Sequence, residues 1–259
     1  MGILRIKLKV LPSYSSALLF LMLGIIVSIS RFAFVNVAPQ LPIQIWLFDC
    51  YNTVILAGYG VPLLFIVALA VIESANVLRL GGLSRLRGRS SILLTALLTV
   101  LFTAVVMTIA QLVVMVLSAP NILLTSWHWS KGMVAGFQDY FHTLPNTHAS
   151  IGAQIILHAL KQMAYLIGVG LCFEIVLLIG EDERFSIGIA SIIVIVITFF
   201  LKEGGNWGPF NPATYLVPEY VRGFRQPPFS SFSYWLIVCG LLVVVLAIII
   251  SGRKRVPYA

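Results

Sequence analysis

Ser91–Leu117 reads SILLTALLTVLFTAVVMTIAQLVVMVL, twenty-seven residues without a charge. A hydrocarbon core is crossed by about 20 apolar residues in a helix. Lipid offers no partner to backbone N–H and C=O groups, so a lone apolar segment of this length must bond internally as an α-helix. Five further runs follow the same reading: Tyr14–Phe34, Tyr51–Ile72, Ile155–Gly180, Ile187–Leu201 and Ser233–Ser251. The chain of 259 residues is 59% hydrophobic and only 10% charged, with a mean hydropathy of +1.00; soluble domains carry about 25% charged residues. The fold expected is all-α, a polytopic membrane protein of six transmembrane helices forming one domain over 1–259.

The N-terminal MGILRIKLKV and the apolar Ser15–Ile29 superficially resemble a secretory leader. Arg31 follows where a small-residue cleavage site would stand, so the stretch is read as the first span.

Basic residues orient the spans. With the N-terminus inside, Arg5, Lys7, Lys9, Arg79, Arg85, Arg87, Arg89, Arg184, Arg253, Lys254 and Arg255 are cytoplasmic, 11 of the 17 Lys and Arg. Arg31, Lys131, Lys161, Lys202, Arg222 and Arg225 fall outside, in longer segments, so both termini are expected to be cytoplasmic. Trp46, Trp127, Trp129, Trp207 and Trp235 lie in or beside the outer loops, as an interfacial belt does. The net charge of +8 is then explained by retention and anionic headgroups, not by nucleic acid. Cys50, Cys172 and Cys239 are scattered and suggest no disulfide framework or zinc site.

No G-x-x-x-x-G-K-[ST], H-E-x-x-H or G-x-S-x-G string occurs, so the residues of a P-loop, a zinc protease or a common serine hydrolase are missing. The chain is read as a non-enzyme with no metal and no cofactor of its own. His128, His142, His148 and His158 fall in or beside one outer loop and are read as exposed loop histidines.

Several residues do stand out. Four arginines (Arg79, Arg85, Arg87, Arg89) occupy one loop, about 73–91, between the second and third spans. Glu73 opens it, either as an interfacial carboxylate beside an arginine or as part of a docking surface. Glu174 lies inside the fourth span, where a carboxylate is directed at a cavity, a helix or a counter-charge, or else snorkels to the nearby helix end. Gly58, Gly60 and Pro62 predict a kink or flexible joint in the second span. Thr95, Thr99 and Thr103 recur at i, i+4, i+8, with Thr108 and Gln111 beyond, a polar stripe suited to helix contact or to a pathway. The outer loops, about 118–154 and 202–232, are long for plain connections and are expected to carry short helices. In the second, Pro209, Pro212, Pro218, Pro227 and Pro228 forbid one continuous helix and suggest re-entrant segments before the last span.

Taken together, the basic N-terminal segment, six spans with both ends inside, VLRLGGLSRLRGRSS between spans two and three, a minimal Glu181-Asp182-Glu183-Arg184 connection, and NWGPFNPATYLVP before the last span resemble the membrane subunit of an ABC-2-type, exporter-like ABC transporter. The outer segment after span three is longer than that family's pattern. The resemblance implies a permease in a bacterial cytoplasmic membrane that exports a peptide, lipid or hydrophobic compound. It also implies ATPase docking by Glu73, Arg79, Arg85, Arg87 and Arg89; the hinge at Gly58, Gly60 and Pro62 rests on those residues themselves, with plain helix packing as its alternative. The partners implied are an ATPase subunit in two copies, which holds the ATP and Mg, a second membrane subunit (same or different chain) and membrane lipids. A different class of reading is a stand-alone carrier or channel, with a polar path at Glu174 and the Thr95/Thr99/Thr103 face.

Overall fold

The computed structural model describes residues 13–37, 42–74, 89–119, 127–142, 145, 147–180, 183–202 and 231–252. Arg79, Arg85, Arg87 and the expected re-entrant region 203–230 lie outside the described residues. The described elements are all helical: α1 (Ser13–Val37), α2 (Ile43–Asn52), a π-helical segment (Val54–Gly60), α3 (Val61–Ser74), α4 (Arg89–Leu117), α5 (Lys131–Phe141), α6 (Ile151–Gly180), α7 (Glu183–Lys202) and α8 (Ser231–Gly252).

Among the described residues, five stretches are long and apolar enough to cross a membrane: Leu18–Asn36, Leu56–Glu73, Ser90–Leu117, Ile151–Gly180 and Ser233–Gly252. The chain is therefore a multi-pass membrane protein. The remaining expected span falls within α7, whose apolar stretch Arg184–Ile197 is shorter.

The thirty-residue α6 is the hub. It packs most extensively on α8 and α7, and also on α4, α3 and α2. One glycine permits the closest of these approaches. An ideal Cβ on Gly170 would stand 2.7 Å from Val100 Cγ1, 3.0 Å from Phe65 Cε1 and 3.2 Å from Leu69 Cδ1, so α3, α4 and α6 meet where only a hydrogen fits. At Gly168 the nearest neighbour is Trp235 of α8, 3.6 Å from that position. The outward surface is apolar: Leu21 and Phe32 on α1, Leu94 and Ile109 on α4, Leu236, Leu241 and Ile248 on α8 are all exposed. A hydrocarbon solvent makes that surface stable, because lipid is as apolar as the side chains facing it.

The start of the second span departs from expectation. A span from Tyr51 with a kink near Gly58, Gly60 and Pro62 is predicted, yet the break comes earlier: α2 ends at Asn52 and Thr53 adopts an extended backbone (φ −74°, ψ 122°). The physical reason is that Thr53 closes one helix and opens the next. Its N–H and its hydroxyl both donate to the Asp49 carbonyl, at 2.7 Å each. Its own carbonyl accepts from Leu56 N and Ala57 N. The residues Ile43–Asn52, expected to lie mainly in a loop, instead form a helix whose side chains from Ile43 to Tyr51 are all buried.

Candidate functional site

At one end of the bundle, α3 and α4 pack side by side. Glu73 is the penultimate residue of α3 and Arg89 the first of α4. The arginine-rich residues 75–88 thus join the ends of two helices in mutual contact.

The threonine stripe turns back on its own helix. Thr95 Oγ1 donates to Ser91 O at 2.6 Å, Thr99 Oγ1 to Thr95 O at 2.8 Å, Thr103 Oγ1 to Thr99 O at 2.8 Å and Thr108 Oγ1 to Ala104 O at 2.8 Å. Each hydroxyl proton is committed to the carbonyl four residues earlier, a pattern that hides threonine polarity within a span. Thr99, Thr103 and Thr108 are buried, which fits a packed contact face. Glu174 is 5% exposed, so its side chain is enclosed by the bundle and does not reach along the helix to its surface.

Gly58 and Gly60 lie in the π-helical segment and Pro62 is the second residue of α3. Proline at 62 has no N–H, and in an α-helix its ring would press on the carbonyl of Gly58. A π turn just before it widens the helix and relieves that contact. The wider turn orphans one carbonyl. Val61 N–H bonds to Leu56 O, five residues back, so it is unavailable to Ala57 O. The next donor in the π pattern is position 62, which is proline. Gln162 fills the gap from α6: its Nε2 donates to Ala57 O at 3.1 Å, from a side chain only 2% exposed.

At the other end of the bundle, α2 gathers a knot of polar and aromatic groups. Trp46 Nε1 donates to Met115 O of α4 at 2.9 Å, and Phe34 of α1 meets the Trp46 ring at 5.2 Å. Phe48 packs on Phe137 and Trp129. Tyr51 stacks on His158 at 6.2 Å, with Phe48 edge-on to the same imidazole. Helix α5 caps the knot. Ser130 opens α5 by accepting Met133 N–H at 3.2 Å, His142 closes it in the left-handed region at φ 55°, and Met133 and Phe137 face inward.

Asp49, 7% exposed, is the acid within the knot. Its carboxylate accepts from Tyr140 OH of α5 at 3.0 Å and, at 3.2 Å, shares the Thr53 hydroxyl proton with the nearer Asp49 carbonyl. Burial lifts its pKa from 3.8 to about 6, against the pull of those two hydrogen bonds. The folded state therefore favours the protonated form. Stability linked to this group is full below about pH 4 and declines as pH rises to about 6, by about 3 kcal/mol in all. Asp49→Asn keeps an acceptor for Tyr140 and removes the charge. It is expected to be more stable than the parent at neutral pH by about 1–3 kcal/mol and to flatten that pH dependence. Thermal unfolding in detergent at a series of pH values checks this, and an unchanged slope in the variant would contradict it.

One histidine departs from the expectation. His158 is not an exposed loop histidine: α6 begins at Ile151, which puts His158 two turns inside, on the face shared by Ile151, Ile155 and Gln162. His128, His142 and His148 are exposed, as expected. Sequence alone does not single out Asp49 and Gln162, although each leaves a trace, a lone acid in IWLFDCY and an amide beside Lys161 in an otherwise apolar run. Among the described residues, no three His, Cys, Asp or Glu side chains group as metal ligands would.

Compared with family models, with curated proteins and with solved structures, the chain matches none.

Proposed function

We propose that this chain is the membrane-spanning subunit of an ABC-2-type, exporter-like transporter. In this reading it pairs with a second membrane subunit to form the pathway for a peptide, lipid or hydrophobic compound, and a separate ATPase subunit holding ATP and Mg drives it. The observation that carries the reading is the contact between α3 and α4, two helices joined in the chain by the basic residues 75–88. A short charged loop on a helical hairpin converts movement of a docked ATPase into a tilt of both helices.

Six passes with both termini cytoplasmic belong to this proposal, with α7 as the fifth. Its 20 residues reach about 30 Å at 1.5 Å per residue, the thickness of the hydrocarbon core. Parity adds support. Counting α7 puts Arg253, Lys254 and Arg255 on the same side as the arginine loop and the basic N-terminus, as charge bias favours. A bacterial cytoplasmic membrane follows from the same family reading.

The stand-alone carrier keeps one supporting observation, the enclosed Glu174. The threonine face supports it poorly, since its hydroxyl protons are bonded to backbone. Mild detergent extraction of the tagged chain separates the two. The permease reading expects an ATP-binding partner of about 25–35 kDa, the size of one domain with extensions, to co-elute. Ion- or proton-coupled flux in liposomes holding this chain alone, with no such partner recovered, would replace it by the carrier.

A further inference from the structure

We infer that Val54–Pro62 is a two-register joint in the second span and that Gln162 is the positioning residue that holds it in the π register. The inference stands on hydrogen-bond geometry and does not depend on the transport reading.

The joint turns on one donor and two acceptors. Val61 N–H bonds to Leu56 O, which defines the π register. Moving that N–H to Ala57 O restores the α pattern, and Gly60 N–H then falls to Leu56 O. In the π register Ala57 O has no backbone donor, because its remaining candidate is Pro62. The Gln162 amide supplies one at 3.1 Å. The α register makes one hydrogen bond fewer, because Val61 N–H displaces the buried Gln162 amide from Ala57 O, and that difference is how Gln162 favours the π register. Neither register buries a bare Ala57 carbonyl, which in this setting would be costly. Gly58, the residue four before Pro62, has no Cβ to add to the crowding that the proline ring brings in the α register.

The elements on either side suit a joint. Upstream, α2 is fastened to other helices by Trp46 Nε1 to Met115 O and by Tyr140 OH to Asp49. Thr53, with its extended backbone, separates α2 from the π segment and is placed to absorb a one-residue change of register. Downstream, α3 is regular to Ser74 and leads into the arginine segment. A one-residue change of register turns side chains by about 100° about the axis. The joint therefore lets α3 rotate while α2 stays docked.

The test is a double-mutant cycle on the full chain in nanodiscs, read by hydrogen exchange of peptides covering 54–66 and by thermal unfolding. Gln162→Leu leaves Ala57 O bare in the π register and removes the preference for it, so exchange there is expected to rise about tenfold as the registers interconvert, the worth of one buried hydrogen bond. Pro62→Ala restores a backbone N–H at 62, so in that background Gln162→Leu is expected to change exchange less than about twofold. An equal effect in both backgrounds, or no effect in the parent, overturns the inference. Should Gln162→Leu fail to accumulate as folded protein, recovery of folded protein in the Pro62→Ala double variant supports the joint, and failure to recover refutes it.

Discussion

Replacing Gly170 with leucine is expected to abolish the folded bundle. The added Cβ alone would lie 2.7 Å from Val100 Cγ1, closer than real Cβ contacts come, and a tight 3.0 Å from Phe65 Cε1. Valine cannot swing away, because β-branching leaves one favoured rotamer in a helix, and Val100 and Phe65 are fully buried. Relief must come from separating α3 and α4 from α6, the helix on which most of the bundle rests. Even Gly170→Ala should lower stability by about 1–3 kcal/mol, the usual range for overpacking. Leucine adds three more carbons to the same place. The measurement is size-exclusion of detergent-extracted protein followed by thermal unfolding. Gly240→Leu is the control, since Gly240 lies in α8 with nothing within 4 Å of its Cβ position. It is expected to elute and melt like the parent. A Gly170→Leu protein indistinguishable from that control would show that the three helices do not meet as described.

Gly170 also shows where the sequence runs out. Gly168, Gly170 and Gly180 look alike in the string GVGLCFEIVLLIG, yet their neighbours come from three different places in the chain: α8, then α3 with α4, then Phe185 of α7. Which glycine sits at a crossing is a property of helix rotation, and apolarity all round a span carries no signal for it. Span existence was readable, because bilayer thickness demands long apolar runs whatever their partners. The thickened, irregular start of the second span was half readable. Gly58, Gly60 and Pro62 announce an irregularity, but the break at Thr53 depends on a side chain bonding to the backbone of Asp49. Buried α2 was not readable, since QIWLFDCYN carries an acid and two amides that suit an outer loop equally well. Asp49 becomes conspicuous only when Tyr140, 91 residues away, donates to it.

Changing Arg85, Arg87 and Arg89 to glutamate is expected to abolish substrate-stimulated ATP hydrolysis in the complex of this chain with its ATPase, if the permease proposal is right. Each change replaces a cation by an anion in the segment joining α3 to α4. A docking surface complementary to acidic groups on a partner would then repel it. Charge reversal alone leaves a second explanation open, because arginines beside spans also hold a loop on the cytoplasmic side. Arg→Lys at the same three positions separates the two. Lysine retains the charge that sets orientation but lacks the planar fork that binds a carboxylate through two parallel hydrogen bonds. Retention predicts that the lysine variant keeps both topology and full ATPase stimulation. Docking predicts unchanged topology, read by labelling of single cysteines placed in the loop, together with a stimulation reduced by about tenfold, the scale of a lost charge-assisted bond. Three glycines within the same loop (Gly81, Gly82, Gly88) favour docking, since retention requires charge alone and places no demand on backbone freedom. A lysine variant with full stimulation would reduce the arginine loop to an orientation signal, and would leave the contact of α3 with α4 without a role in coupling.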